Sequence, residues 1–142
     1  MHKRHILLVE DDPDHEALTV RALKKARVLN EILVARDGAQ ALDMLFGRNG
    51  SPEPPLPALV LLDLKLPKVD GLEVLQRMRA DPRMRVVPVV VLTSSDDESD
   101  IASSYKLGAN SYVCKPVDFS QFMEATRQLG MYWLALNEAP QN

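Results

Sequence analysis

Residues 61–71 read LLDLKLPKVDG, and this stretch places a carboxylate directly after an apolar run. Leu61 and Leu62 are typical of a strand that ends in a buried core, and Asp63 follows them without a break. Burying a charge costs free energy unless a partner compensates for it. We therefore expect Asp63 to lie where other polar or charged groups can meet it.

Five short apolar runs divide the chain, and most of them are continuous rather than alternating. Continuous runs are typical of strands that are buried on both faces of a parallel sheet. The runs are ILLV at Ile6–Val9, ILVA at Ile32–Ala35, ALVLL at residues 58–62, VVVL at residues 89–92 and SYVC at Ser111–Cys114.

Segments with helical periodicity follow each of these runs. Asp12 and Pro13 form a capping residue and a first-turn proline, and they predict a helix whose apolar stripe contains Leu18, Ala22 and Ala26. The fourth segment predicts a stripe of Ile101, Ala102 and Tyr105, and the last segment begins at Asp118. Strand and helix alternate five times, which predicts a (βα)5 α/β fold with a parallel sheet between two helical layers.

The composition favours one globular domain over residues 1–142. The chain has 17 basic and 20 acidic residues, so no basic excess indicates nucleic acid or an anionic membrane as a partner. The amino end has too short an apolar run for a signal peptide or a membrane span, and we expect a cytoplasmic protein. The single cysteine, Cys114, is expected to be a small buried residue of the last strand.

The residues that follow the apolar runs share a chemical character. The carboxyl ends of parallel strands lie at one edge of a sheet, where ligands bind. The residues there are acids, hydroxyls and one lysine: Glu10, Asp11 and Asp12 after the first run, Asp63 after the third, Thr93, Ser94 and Ser95 after the fourth, and Lys115 with Pro116 after the fifth.

These groups could form a metal and phosphoryl site. If the first and third strands are neighbours, Asp11 and Asp63 approach each other, and two carboxylates about 4 Å apart repel by about 4 kcal/mol at an effective dielectric of 20. Oxygen ligands favour Mg²⁺, and Lys115 would add positive charge. Asp63 could then attack phosphorus and form an acyl phosphate, with Thr93 donating a hydrogen bond to the phosphoryl group.

Each residue also has a simpler interpretation when it is taken alone. Asp12 is placed as a helix cap, Thr93 and Ser94 could cap the fourth helix, and Lys115 could be a surface lysine. These interpretations do not explain why all of the groups fall at the same edge of one sheet.

Four motifs in this order make the chain resemble the receiver domain of two-component response regulators, from Ile6 to about Gly130. The motifs are LLVEDD at residues 7–12, LLDLKLPKVDG at residues 61–71, VVVLTSS at residues 89–95 and SYVCKP at residues 111–116. The resemblance implies a flavodoxin-like fold with strand order 2-1-3-4-5.

The resemblance also implies a role for each matching residue at the acidic edge. Asp63 would be the phosphoacceptor, and Mg²⁺ or Mn²⁺ would be held by Asp63, Asp11 and the backbone carbonyl of Lys65, with Glu10 acting through water. Lys115 would form a salt bridge at the site. Lys65 and Ser95 occupy the two positions at which this family tunes hydrolysis of the aspartyl phosphate.

Other matching positions carry the switch and the loop geometry. Thr93 matches the switch hydroxyl and Ser94 the small residue beside it. Tyr112 matches the aromatic switch, which is expected to turn inward when Thr93 moves toward the phosphoryl group. Pro67 and Gly71 would shape the loop after Asp63, and the bond between Lys115 and Pro116 is expected to be cis.

The carboxyl end, an extended helix or tail at about residues 130–142, predicts a contact with a partner. Tyr132, Trp133 and Leu136 are candidates for a dimer interface, since aromatic residues are enriched at interfaces. The proline-rich loop and this tail resemble those of the small regulators paired with phytochrome histidine kinases of bacteria and cyanobacteria. That resemblance implies a homodimer built on the fourth and fifth helices and the last strand.

The resemblance therefore implies a response regulator that accepts a phosphoryl group from a histidine kinase and then changes its Thr93/Tyr112 face. Such a chain is a stoichiometric phosphoacceptor with slow autodephosphorylation rather than a turnover enzyme. Two alternatives stay open: a scaffold that works without phosphate, and a haloacid-dehalogenase-like phosphatase. The phosphatases have a second acid two residues after the nucleophile, where this chain has Lys65.

Overall fold

The structure is a computed structural model, which describes residues 4–93 and 98–128. One sheet contains five parallel strands in the order β2-β1-β3-β4-β5, which confirms the predicted topology. The strands are β1 (Ile6–Val9), β2 (Ile32–Ala35), β3 (Leu59–Asp63), β4 (Val89–Thr93) and β5 (Ser111–Cys114). Asp63 is thus the last residue of the central strand.

Five helices follow the strands in alternation. They are α1 (Pro13–Lys25), α2 (Gly38–Phe46), α3 (Gly71–Ala80), α4 (Glu98–Lys106) and α5 (Phe119–Gln128). Aspartates cap the first three, because the side chains of Asp12, Asp37 and Asp70 accept hydrogen bonds from backbone N–H groups of the first turn. No helix in the described part of the chain is long and apolar enough to cross a bilayer.

The sheet separates two apolar cores. Successive strand residues point to opposite faces, so Leu7 and Val9 join one core while Ile6 and Leu8 join the other. The first core also contains residues of α2 and α3, and the second contains residues of α1 and α5: Ala41, Leu45, Val74, Leu75 and Met78 on one side, and Ala22, Leu23 and Phe122 on the other. The central strands are therefore covered on both faces.

The apolar stripe predicted for α1 is confirmed at Ala22 and Ala26, which pack against the core, and is wrong at Leu18. Leu18 is 37% exposed, whereas Thr19 and Leu23 are buried together with Ala22. Adjacent helical positions differ by about 100°, so a shift of one residue moves the buried face substantially. A threonine therefore faces the sheet from a position where the sequence pattern favours an apolar residue.

Two predictions near β5 are also wrong. Cys114 is exposed, because β5 is an edge strand on which Ser111 and Val113 are buried while Tyr112 and Cys114 point outward. On α4 the predicted stripe does not form a buried face: Tyr105 is exposed, and Ser104 is the buried residue among positions 101–106.

Arg79 ties together the loops at the opposite edge of the sheet. Its guanidinium group donates hydrogen bonds to three backbone carbonyls in the loop before β4: Met84 at 3.1 Å, Arg85 at 3.3 Å and Val87 at 2.8 Å. In the loop before β5 it donates to the carbonyl of Gly108 and to Oδ1 of Asn110, both at 3.0 Å. Burial lowers the pKa of Arg79 from its ordinary value. Arg79 thus connects the loops at the edge of the sheet opposite to Asp63.

Candidate functional site

The pairing of β1 with β3 places carboxylates side by side. Val9 lies opposite Leu62 in the register, so each strand reaches its acidic residue at the same level. Ligand atoms of Glu10, Asp11 and Asp63 all lie within 4.8 Å of one another. Glu10 and Asp63 are buried, whereas Asp11 is exposed. This acidic cluster therefore opens to solvent on the Asp11 side.

Lys115 bridges the two buried carboxylates. Its Nζ lies 2.9 Å from Oδ2 of Asp63 and 3.0 Å from Oε1 of Glu10. Its side chain is only 5% exposed, which contradicts the interpretation as a surface lysine. Removing one partner of a buried ion pair is far more costly than breaking an exposed one, so these three residues depend on each other.

Burial and charge shift the pKa values of Glu10 and Lys115. Burial raises the pKa of Glu10; the hydrogen bond from Lys115 opposes this change, and the charge of Asp63 adds to it. For Lys115, burial alone would lower the pKa, but the hydrogen bonds and charges of Asp63 and Glu10 outweigh it, and the pKa is raised. The lysine is therefore held in its charged form beside the acids.

The loop after β3 is fitted closely against the start of α3. The backbone N–H of Lys65 donates a hydrogen bond of 3.2 Å to Oδ1 of Asp63, and the N–H of Gly71 donates one of 2.8 Å to the carbonyl of Leu64. A Cβ at Gly71 would lie 2.6 Å from Cα of Leu64 and would overlap the carbonyl oxygen of Asp63. Glycine is required here by close approach of the backbone rather than by a positive φ.

The same loop also touches the start of α2. The carbonyl of Pro67 accepts hydrogen bonds from Gly38 at 3.3 Å and Val69 at 2.8 Å, and Nζ of Lys68 lies 3.6 Å from Asp37. A cleft of about 480 Å³ lies between this loop and Asp11, and it is lined by Asp11, Leu64, Lys65, Leu66, Pro67, Asp70 and Leu72. The exposed carboxylate of Asp11 is therefore reached through a defined opening.

His15 lies beside the acidic cluster, and the sequence patterns did not single it out. The Nδ1 atom of His15 is 3.6 Å from Oδ2 of Asp12 and 4.0 Å from Oε2 of Glu10. This nitrogen atom is buried and has no hydrogen-bond partner within the part of the chain that the structure describes. The proximity of His15 to Asp12 could have been predicted from the sequence, because residues three positions apart lie close together at the start of a helix. Asp12 itself caps α1, and hydrogen bonds from Asp14 and His15 lower its pKa.

The remaining predicted site residues lie at or near the same edge. Thr93 is the last residue of β4 and pairs with Cys114 of β5. Tyr112 is on the outward face of β5, and the peptide bond between Lys115 and Pro116 is cis. Ser94, Ser95, Tyr132, Trp133 and Leu136 lie outside the described residues.

The donor set at the acidic edge fits a hard divalent cation. It consists of carboxylate oxygens, and no histidine or cysteine belongs to the group of three acids. Such oxygen ligands suit Mg²⁺ or Mn²⁺, and one exposed ligand leaves positions for water and for a phosphoryl oxygen. Lys115 adds positive charge beside two of the three acids.

The fold and the acidic edge together define a flavodoxin-like domain of the receiver class. In a comparison with protein-family sequence models, the response regulator receiver domain matches residues 6–127 of this chain. The chain belongs to this family and is a receiver-domain response regulator, as predicted from its motifs.

Two curated relatives match over most of their length. A probable methanogenesis regulatory protein, FilR2, from Methanothrix harundinacea is 42% identical over 95% of this chain and 86% of its own. The response regulator Rcp1 from a Synechocystis strain is 37% identical over 91% of this chain and 88% of its own.

Solved structures of phytochrome response regulators are similar in fold and sequence. The bacteriophytochrome response regulator RtBRR is 53% identical with a TM-score of 0.85, covering 99% of this chain and 86% of the other. The Mn²⁺-bound form of Rcp1 is 35% identical with a TM-score of 0.75 over 96% and 97% of the two chains. The phosphorylated cyanobacterial phytochrome response regulator RcpA is 38% identical with a TM-score of 0.77 over 95% and 96%.

Proposed function

We propose that this chain accepts a phosphoryl group on Asp63 from the phosphohistidine of a sensor histidine kinase. The observation that carries the proposal is the position of Asp63, a buried carboxylate at the end of the central strand with Lys115 2.9 Å away and two other acids beside it. A carboxylate is held there rigidly, and catalysis by positioning and charge requires little else from the protein.

The transfer is a displacement at phosphorus. An oxygen of Asp63 forms a bond to phosphorus as the N–P bond of the phosphohistidine breaks, and the electron pair of that bond stays on the imidazole, which takes a proton from solvent. The product is an acyl phosphate on Asp63. Lys115 stays charged beside it, since its pKa is raised, and stabilises the added negative charge.

A divalent cation, Mg²⁺ or Mn²⁺, would neutralise the phosphoryl oxygens when bound. Asp11, Asp63 and the backbone carbonyl of Lys65 would hold it, with Glu10 acting through water. Two observations support this assignment: Asp11 is the exposed member of the three acids, and Lys65 lines the same cleft as Asp11. The Mn²⁺-bound form of the relative Rcp1 also supports it.

Phosphorylation would then change the face formed by Thr93, Ser94 and Tyr112. Thr93 is the last residue of β4 and pairs with Cys114 of the neighbouring strand β5. Tyr112 lies two residues before Cys114 on the same strand. The chain acts as a stoichiometric phosphoacceptor and signalling switch, and it releases phosphate slowly rather than turning over a substrate.

The proposed partners follow from the phytochrome-linked relatives. We infer that the kinase is of the phytochrome type, acting in the cytoplasm where ATP supplies its phosphoryl group, and that residues 1–142 work as one receiver domain with a carboxyl-terminal extension. A homodimer through α4, β5 and α5 is supported by the outward Tyr105, Tyr112 and Cys114. Sedimentation equilibrium tests the dimer, and phosphotransfer from a purified bacteriophytochrome kinase tests the partner.

Labelling with acetyl phosphate tests the phosphoacceptor. In the presence of Mg²⁺ the wild type is expected to gain the mass of one phosphate, and Asp63→Asn none. Asp43→Asn is the matched control, because Asp43 is exposed on α2 and pairs only with Arg48 among the interactions found for it. Equal labelling of wild type and Asp63→Asn would contradict the proposal, as would steady hydrolysis of a phosphate ester by the wild type.

A further inference from the structure

Two tyrosines contact each other on the outer face of α4 and β5. The rings of Tyr105 and Tyr112 have centroids 5.8 Å apart and cross at 81°, which is an edge-to-face pair. Tyr105 is 44% exposed and Tyr112 is 37% exposed, so neither ring is held by the core. The contact with Tyr105 is therefore an interaction that Tyr112 makes in its outward position.

Tyr105 has an anchor of its own. A side-chain hydrogen bond joins it to Ser111, which is fully buried as the first residue of β5. The side chain of Tyr105 is thus hydrogen-bonded to Ser111 of the sheet, and its ring contacts Tyr112, the next residue of β5. Because the anchor and the contact lie on adjacent residues, the position of Tyr105 is defined relative to β5.

The surrounding packing is thin. Among positions 101–106 of α4, only Ser104 is buried in the structure. A segment with few buried side chains, such as positions 101–106, opens at a lower free-energy cost than the core elements. The contact between the rings of Tyr105 and Tyr112 can therefore contribute a sizeable part of the free energy that holds Tyr112 in its outward position.

We propose that Tyr105 is a latch that holds Tyr112 in its outward position and thereby sets how readily the switch face changes on phosphorylation. The inference rests on the proposed function of Asp63 and Tyr112, and it assigns a positioning role to a residue outside the receiver motifs. The contact exists only while Tyr112 is outward, so turning inward breaks it. An interaction present in one state alone shifts the equilibrium toward that state.

The size of the effect follows from the strength of such pairs. An edge-to-face aromatic contact changes an equilibrium by about 2- to 13-fold. If a ligand binds only the state in which Tyr112 is turned inward, its apparent association constant is the intrinsic one multiplied by the fraction of protein in that state. Removing the ring of Tyr105 is therefore expected to tighten binding of a phosphoryl analogue by up to about 13-fold.

Titration with beryllofluoride and Mg²⁺ by calorimetry tests the latch. Tyr105→Ala is expected to bind beryllofluoride more tightly than the wild type, by about 2- to 13-fold. Tyr105→Phe keeps the ring and is expected to lie closer to the wild type than Tyr105→Ala does. Lys106→Ala, an exposed neighbour on the same helix, is the matched control and is expected to leave the affinity unchanged.

A double-mutant cycle separates the latch from a merely structural role. In a Tyr112→Ala background, Tyr105→Ala is expected to have no effect on the affinity for beryllofluoride, because the contact is already absent. Unchanged or weaker binding by Tyr105→Ala overturns the proposal, and so does an equal gain in both backgrounds. Before the titrations are compared, thermal unfolding shows that each variant is folded, and sedimentation equilibrium shows that its association state is that of the wild type.

The same experiment distinguishes failure of the latch from failure of the proposed function. If the wild type does not bind beryllofluoride, or if Asp63→Asn binds it equally well, the phosphoacceptor assignment fails. If the wild type binds it, Asp63→Asn does not, and Tyr105→Ala equals the wild type, only the latch fails.

Discussion

At the scale of single residues, the acidic edge shows a conflict between stability and function. Glu10 and Asp63 are buried beside each other, and Lys115 is the cation that compensates for them. A buried ion pair is often no more stabilising than apolar residues of the same volume. Folding stability alone therefore gives little reason for these buried charges, which is in line with their proposed role in phosphoryl and metal chemistry.

His5 leads to a prediction about stability and pH. Burial lowers the pKa of His5 below its ordinary value of 6.5, and the nearby Glu31 only partly offsets the effect. The unfolded chain therefore binds a proton more readily than the folded chain does. The free energy of unfolding is expected to fall as the pH drops below 6.5 toward the lowered pKa of the folded state.

Urea unfolding at about pH 7.5 and about pH 5.5 checks this prediction. The loss of stability on acidification is expected to be smaller in His5→Gln than in the wild type, because the variant has no imidazole to protonate. Equal losses in the two proteins would show that His5 does not contribute to the pH dependence.

At the scale of elements, the start of α3 is connected to the end of β3. Gly71 approaches the backbone of Asp63 and Leu64 so closely that a Cβ has no room. The helix cap Asp70 and the hydrogen bond from Gly71 to Leu64 hold this arrangement. The position of Asp63, the proposed nucleophile, is therefore determined partly by the helix that follows it.

Gly71→Ala is expected to slow labelling of Asp63 by acetyl phosphate at least several-fold and to lower the thermal midpoint. Alanine normally favours a helix by about 1 kcal/mol relative to glycine, but here its Cβ would displace the backbone of Asp63. The initial labelling rate, measured by intact mass, checks the prediction.

Gly50→Ala serves as the control for that experiment. Gly50 also has an unusual backbone, with φ at 84°, but no atom lies within 4 Å of an added Cβ. This variant is expected to lose some stability from backbone strain while its labelling rate stays at the wild-type value. A Gly71→Ala protein that is labelled as fast as the Gly50→Ala protein would contradict the close-approach argument.

At the scale of the whole molecule, the site is assembled from distant parts of the chain. Lys115 and Glu10 are 105 residues apart in sequence and hydrogen-bonded in the fold. Since the site exists only in the folded chain, a cation that binds it stabilises the fold by mass action. Folding and metal binding are therefore linked.

Mg²⁺ at about 100 times its dissociation constant is expected to raise the free energy of unfolding of the wild type by about 2.7 kcal/mol. Asp11→Asn removes the exposed acid of the cluster, so its stability is expected to depend much less on Mg²⁺, whereas Asp43→Asn is expected to respond as the wild type does. Chemical unfolding with Mg²⁺ or with EDTA measures the difference. A full Mg²⁺ response in Asp11→Asn would show that the cation binds elsewhere.

The sequence patterns predicted the five strands and the edge at which the charged groups meet, and the family resemblance implied the strand order. They were less accurate where packing rather than hydrophobicity decides burial. Thr19 faces the core and Leu18 does not, because the direction of α1 against the sheet determines which side is covered. Cys114 is exposed because β5 is the edge strand, and this depends on strand order as well as on composition.

The residue types and their order along the chain determine the (βα)5 alternation and the receiver family, because periodicity and motifs are local properties of a sequence. Only the tertiary structure decides that Lys115 bridges Glu10 and Asp63, that Gly71 is required by close approach, and that Tyr105 lies against Tyr112. Each of these is a contact between separate elements, and its distance depends on how the helices and strands pack. The stretch LLDLKLPKVDG thus contains the proposed nucleophile, Asp63, while the fold brings Glu10, Asp11 and Lys115 beside it.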